Sequence, residues 1–171
     1  MHFKKSVLKN HLLYSIITLM AIAMLFPITA FAQAYVQTWD LVDSGKHLDY
    51  DGNSTYMSYI NTGAATWNAY KSGVIRKDSA FVVEDVYVSD VNASNGWAGM
   101  TYSSGELNTY YMSGYSNSKK QNVATHELGH ALGLDHSTST DVMDAAITGH
   151  TSTQALSQND KDSYDAAYNN Y

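Results

Sequence analysis

Residues 126–136 read HELGHALGLDH, and they constrain the fold more than any other stretch of the chain. His126 and His130 are four apart, a spacing that on a helix sets both imidazoles on one face, one turn apart. His136 follows six residues later. A continuing helix would carry it about 9 Å further along the axis, out of reach of the other two. Gly133 stands midway, and glycine ends a helix in the left-handed conformation at little steric cost. The spacing therefore predicts a helix over about 119–132, opened by Ser118 as N-cap and stopped at Gly133. A returning loop then brings His136 back. Three of the seven histidines converge on one point.

Three neutral imidazoles around one point are a metal site. The chain has no cysteine, so ligands must come from His, Asp or Glu. An all-imidazole set with one position left open favours Zn²⁺. Glu127 follows the first histidine directly, so its carboxylate lies beside the metal rather than on it. That placement suits a base that takes a proton from zinc-activated water. A purely structural zinc has no need of it. The rival reading is a zinc-stabilised extracellular binding module, catalytically weak or inactive, whose contact surface would draw on the fourteen tyrosines. Glu127 is the feature that discriminates between the two readings, and it favours the enzyme.

The N-terminus has a different character. Lys4, Lys5 and Lys9 precede an apolar run from Leu12 to Phe26, then Pro27 and Ala30-Phe31-Ala32. This is the layout of a secretory signal peptide, with cleavage expected after Ala32. The expected organisation is a signal at 1–32 and one domain at 33–171, secreted and extracellular, with no membrane attachment after cleavage. Removing residues 1–32 leaves 7 basic and 16 acidic side chains, a net charge of −9. A monomer of that charge is repelled by nucleic acid.

Within 33–171, periodicity predicts a short strand at 47–51 closing in the turn-like DGN at 51–53. A helix follows at about 55–71, carrying Tyr56, Ile60, Ala64 and Trp67 on one face and capped by Asn53 or Ser54. FVVEDVYVSD (81–90) reads as a strand, as do GWAGMTY (96–102) and ELNTYYM (106–112) on either side of SSG. Ser157 and Asp160 resemble a capping box that opens a last helix to about Tyr168. The fold class is α/β (α+β).

HELGHALGLDH fits H-E-x-x-H-x-x-G-x-x-H, the pattern of metzincin zinc proteases, which a Met-turn follows. Met143, in STSTDVMD, is the Met-turn candidate. HALGLDHS and the tail LSQNDKDSYDAAY (156–168) resemble the matrixin branch, and within it the small secreted bacterial members. The resemblance implies a twisted five-stranded, mostly parallel sheet with one antiparallel edge strand and three helices, the zinc cleft lying under that edge. It implies a zinc endopeptidase with ligands His126, His130 and His136 and with Glu127 as the catalytic residue. A protein or peptide substrate would add as a strand along an edge formed by GWAGMTY, at Gly99, Met100 and Thr101, with residues 144–150 as the lower wall.

Three departures from the family stand out. There is no cysteine to block the zinc, and no histidine lies between His47 and His126 to hold a second zinc. Asp144 stands where the family usually has tyrosine after the Met-turn methionine, and Ala145 where some metzincins place one. Asp49, Asp51 and Asn53 alternate like calcium ligands; a plain turn is the favoured reading, and the resemblance keeps Ca²⁺ open as a second ion. His47 and His150 have no evident partners and read as exposed loop residues.

Overall fold

The computed structural model of the protein describes residues 33–79 and 83–171. The leader proposed from sequence, and Phe81 and Val82 of the third predicted segment, lie outside the described residues.

Five strands form one sheet: β1 (Leu48–Gly52), β2 (Ile75–Lys77), β3 (Val86–Val91), β4 (Gly99–Thr101) and β5 (Gly105–Asn108). Their order is β2-β1-β3-β5-β4. Every pairing is parallel except β4 with β5, where Met100 stands opposite Glu106. The helices are α1 (Met57–Asn68), the single turn α2 (Thr109–Met112), α3 (Asn117–Ala131) and α4 (Gln158–Tyr168). Mixed α/β architecture, five strands, one antiparallel edge pair and three long helices are all present as expected.

Alternation along the strands sets the core. Leu48 and Tyr50 of β1, Val86 and Val88 of β3 and Leu107 of β5 are buried on the sheet face that the helices cover. Helix α1 lies tightly against α3. Gly63 has no side chain where a Cβ would come within 3.1 Å of the Thr125 backbone. Trp67 is fully buried and donates its indole N–H to the Thr125 carbonyl at 2.9 Å. Losing such a buried indole costs about 3–5 kcal/mol.

Several boundaries differ from the sequence reading. The 55–71 helix starts at Met57 behind Tyr56, which makes no side-chain cap. Ser54 does accept from the Tyr56 N–H, but its hydroxyl also donates to Asp90, whose carboxylate takes the Thr55 N–H as well. The DGN stretch does not turn at Gly52, which ends β1 where an added Cβ would strike the Val88 carbonyl. ELNTYYM divides: Asn108 ends β5, and its side chain accepts from the Tyr110 N–H to open α2. Strand β2, three residues long, is too short to show a period. The N-cap of α3 is Ser116, not Ser118, bonded to the Lys119 N–H. The capping box of α4 is formed as read, Ser157 and Asp160 bonding reciprocally.

Candidate metal centre

The end of α3 builds the centre. Gly133 adopts φ +82°, the left-handed conformation its position requires. Its N–H donates to the His130 carbonyl at 2.9 Å, and the Leu134 N–H to the Gly129 carbonyl at 3.0 Å. This pair of bonds is the Schellman motif, which satisfies carbonyls a helix end leaves open. The chain then reverses and is held from outside. The Gln37 N–H donates to the Gly133 carbonyl at 2.8 Å, and the Asp135 N–H to the Tyr35 carbonyl at 3.0 Å.

The turn brings His136 to the helix pair. One nitrogen from each of His126, His130 and His136 lies within 4.8 Å of the others. The Nδ1 of His126 is 2.8 Å from the Val142 carbonyl, and the Nδ1 of His130 is 2.8 Å from the Leu134 carbonyl. A carbonyl only accepts, so each Nδ1 carries the proton and each Nε2 offers a lone pair. The Nε2 atoms of His130 and His136 stand 3.2 Å apart. Tetrahedral bonds of about 2.0–2.1 Å place ligand nitrogens roughly 3.3 Å apart, so the set fits zinc. Burial, reinforced by the neighbouring imidazoles, pushes the pKa of His126 down to about 3. Burial lowers His130 too. Both are neutral at neutral pH, the state a metal ligand needs.

Glu127 is buried beside them and turns upward, toward the sheet edge. Thr101 donates its hydroxyl to Oε2 at 2.9 Å. Gly99 lies over the same carboxylate: an added Cβ there would stand 2.5 Å from Oε1 and 2.7 Å from Cγ. Burial pushes the Glu127 pKa up to about 8, against the opposing pull of the Thr101 bond. Gly99 and Thr101, read from sequence as substrate-edge residues, thus also meet Glu127.

Met143 is 1% exposed and packs beneath α3. A Cβ at Gly129, between the two helical histidines, would collide with its Sδ and come within 2.9 Å of Trp67 Cζ2. Asp160 holds the Met143 turn from below, accepting from the N–H groups of Val142 at 2.9 Å and Met143 at 3.1 Å. A family model described as Matrixin matches residues 29–169. The chain belongs to the matrixin family. Matrixins are zinc-dependent metallopeptidases, and the three-histidine group supplies the donors that such a protein requires. Comparison with curated proteins returns no match.

The cleft of this matrixin is a cavity of about 460 Å³ in front of the histidines. Strand β4, Tyr115, Val123, Ala145 and Ile147 line it. Asp144, the departure noted in the sequence, pairs with His150 at 2.8 Å and accepts from the Ala146 N–H. His150 is therefore a partnered, partly buried residue, not a free loop histidine; its bond to Asp144 spans the segment whose Ala145, Ile147 and Thr148 line the cavity. His47 likewise lies beside Asp43, which accepts its N–H at 2.8 Å. The alternating Asp49 and Asp51 lie along β1, with Asn53 just beyond its end. Asp49 gathers instead with Asp43 and Asp85, and Arg76 grips it through two bonds of 2.8 and 2.6 Å.

Four residues of the site escaped the sequence reading: Gly129, Gln37, Asp160 in its second role, and Asp141. Gln37 places its amide 3.0 Å from His130 Nδ1, while its Oε1 is buried without a partner. Turning the amide over sets the oxygen beside Nδ1, where it shares with the Leu134 carbonyl the one proton that His130 Nδ1 carries. Asp141, fully buried, accepts from the N–H and hydroxyl of Thr138 and shapes the loop between His136 and Met143. Only Gly129 left a visible signal, since glycine inside a helix costs about 1 kcal/mol against alanine and asks for a packing reason.

Proposed function

We propose that this matrixin is a zinc endopeptidase of the small secreted bacterial type, exported by a leader at 1–32 and active as residues 33–171. The observation that carries the reading is the Glu127 carboxylate, buried yet lining the cleft and adjacent to the first histidine. His126, His130 and His136 would hold the ion, and Met143 would floor them. Bound zinc supplies Lewis acidity toward water and toward the carbonyl of the scissile bond. Glu127 accepts the proton of the attacking water and returns it to the leaving amine. The open edge of β4 offers backbone groups to an extended peptide, and Met100 is 44% exposed there.

The test uses purified 33–171, zinc content by elemental analysis, and a peptide library with and without chelator. Wild type cleaves and chelator stops it. Glu127→Ala keeps its zinc and loses cleavage. Cleavage by Glu127→Ala at the wild-type rate refutes the mechanism.

A further inference from the structure

We infer that Thr101 is a positioning residue for the reaction, aiming Glu127 from the strand that seats the substrate; this rests on the function proposed above. Side chains alternate along a strand, so Gly99 and Thr101 share one face of β4 while Met100 takes the other. That shared face looks down on α3. Thr101 is 9% exposed and donates to Glu127 Oε2 at 2.9 Å. Two residues away, Gly99 has no Cβ, and the space this leaves is where Oε1 and Cγ of Glu127 lie. Among the described residues, Glu127 has no other side-chain hydrogen bond. One carboxylate oxygen is therefore fixed by the hydroxyl, and Oε1 is the oxygen left to exchange a proton with water and amine.

A hydroxyl serves both states of that exchange. It donates to the carboxylate and, by rotating, accepts from the carboxylic acid. Valine has the same shape and can do neither. The buried setting raises the stakes, since a carboxylate out of water depends on the few partners it keeps. Because β4 also presents its backbone to the cleft, the strand couples two alignments. Seating of the peptide and aim of the base both depend on the position of one three-residue segment.

The experiment compares wild type, Thr101→Val, Thr101→Ser and Thr101→Ala, each loaded with zinc and assayed on one peptide. Thr101→Val lowers kcat by about tenfold to a hundredfold, the range set by small misalignments of a reacting group. KM stays within about twofold, because the side chain faces the base rather than the peptide. Zinc content is equal in all four proteins. Thr101→Ser recovers most of the rate. Thr101→Ala behaves like Thr101→Val, and carries the test if the valine variant does not fold. A wild-type kcat in Thr101→Val or Thr101→Ala overturns the inference. So does a serine variant as slow as the valine one, or a loss confined to KM. A wild-type protein that cleaves nothing in the library overturns the endopeptidase reading and this inference together; an active wild type with an equally active Thr101→Val overturns this inference alone.

Discussion

Gly129→Ala sets two effects of opposite sign against each other. Alanine is favoured over glycine in a helix interior by about 1 kcal/mol, so propensity alone predicts a more stable protein. Packing predicts the reverse. The new methyl would overlap Met143 Sδ and stand 2.9 Å from Trp67 Cζ2 and 3.2 Å from Met143 Cε. Both neighbours are buried. Trp67 is 0% exposed, is pinned by its bond to the Thr125 carbonyl, and lies edge-on to Tyr164 at 5.5 Å. Met143 is equally enclosed, and its backbone N–H is tied to Asp160. Overpacking of a filled core costs about 1–3 kcal/mol, and the pinned Trp67 ring, more than the flexible Met143 end, puts this site at the upper end. The net loss is about 1–2 kcal/mol, a fall in Tm of about 3–10 °C for a domain of this size. Thermal unfolding by circular dichroism on metal-stripped protein measures it without the stabilisation that bound zinc adds. Zinc affinity should also weaken, because Met143 adjoins Val142, whose carbonyl orients His126. A Tm at or above wild type would refute the rigid packing of Met143 against α3.

The same packing predicts that Met143→Leu costs less than about 1.5 kcal/mol while Met143→Ala costs about 2–5 kcal/mol, read from chemical denaturation. Gln37→Leu should weaken zinc binding by about tenfold or more in a competition titration with a chromogenic chelator, since it removes an outer partner of His130. pH separates the two kinds of buried group in metal-stripped protein. Glu127, raised to about 8, keeps its proton in the fold while the unfolded chain loses it; its stability is complete below the unfolded pKa and is lost as pH rises through about 8. Glu127→Gln should therefore gain Tm over wild type at about pH 9 and gain nothing at about pH 4. His126, lowered to about 3, works in the other direction: its stability is present above its ordinary pKa and is lost as pH falls toward about 3. The wild-type Tm should fall through that acid range, and His126→Gln should flatten the fall.

What could be read along the chain was what repeats or is spaced locally. The α3 histidines, Gly133 and the Ser157–Asp160 box are all defined by offsets of a few residues, so their geometry follows from helix pitch and capping chemistry. Trp67 and Ile60 were legible as a face for the same reason. The supports of the site are set by long loops instead. Thr101 reaches Glu127 across 26 positions, Asp160 reaches Met143 across 17, and Gln37 reaches His130 across 93. Nothing in the local pattern of Thr101 distinguishes it from any other strand threonine, and no period links it to α3. Strand β2 was illegible for a different reason: three residues hold less than two full alternations, and its place beside β1 comes from the pairing of Leu48 with Ile75.

This division has a chemical logic. Zinc ligands must be close, neutral and aimed at one point, and a helix with a glycine stop achieves that within eleven residues. The aim of the Glu127 carboxylate cannot be set by its own helix, because Glu127 leaves α3 on the side facing the sheet. Its carboxylate must be fixed by whatever covers that side, and here that is β4. A carboxylate carried on one element and oriented by another is sensitive to their spacing. Gly63, Gly99 and Gly129 lie at the close approaches that bring α1, β4 and the Met143 turn onto α3. Alanine at any of these three would push a neighbour away from α3 and not merely fill space. Among them Gly99 acts on the Glu127 carboxylate itself, so under the proposed function Gly99→Ala should resemble Thr101→Val in kinetics while leaving the three histidines untouched.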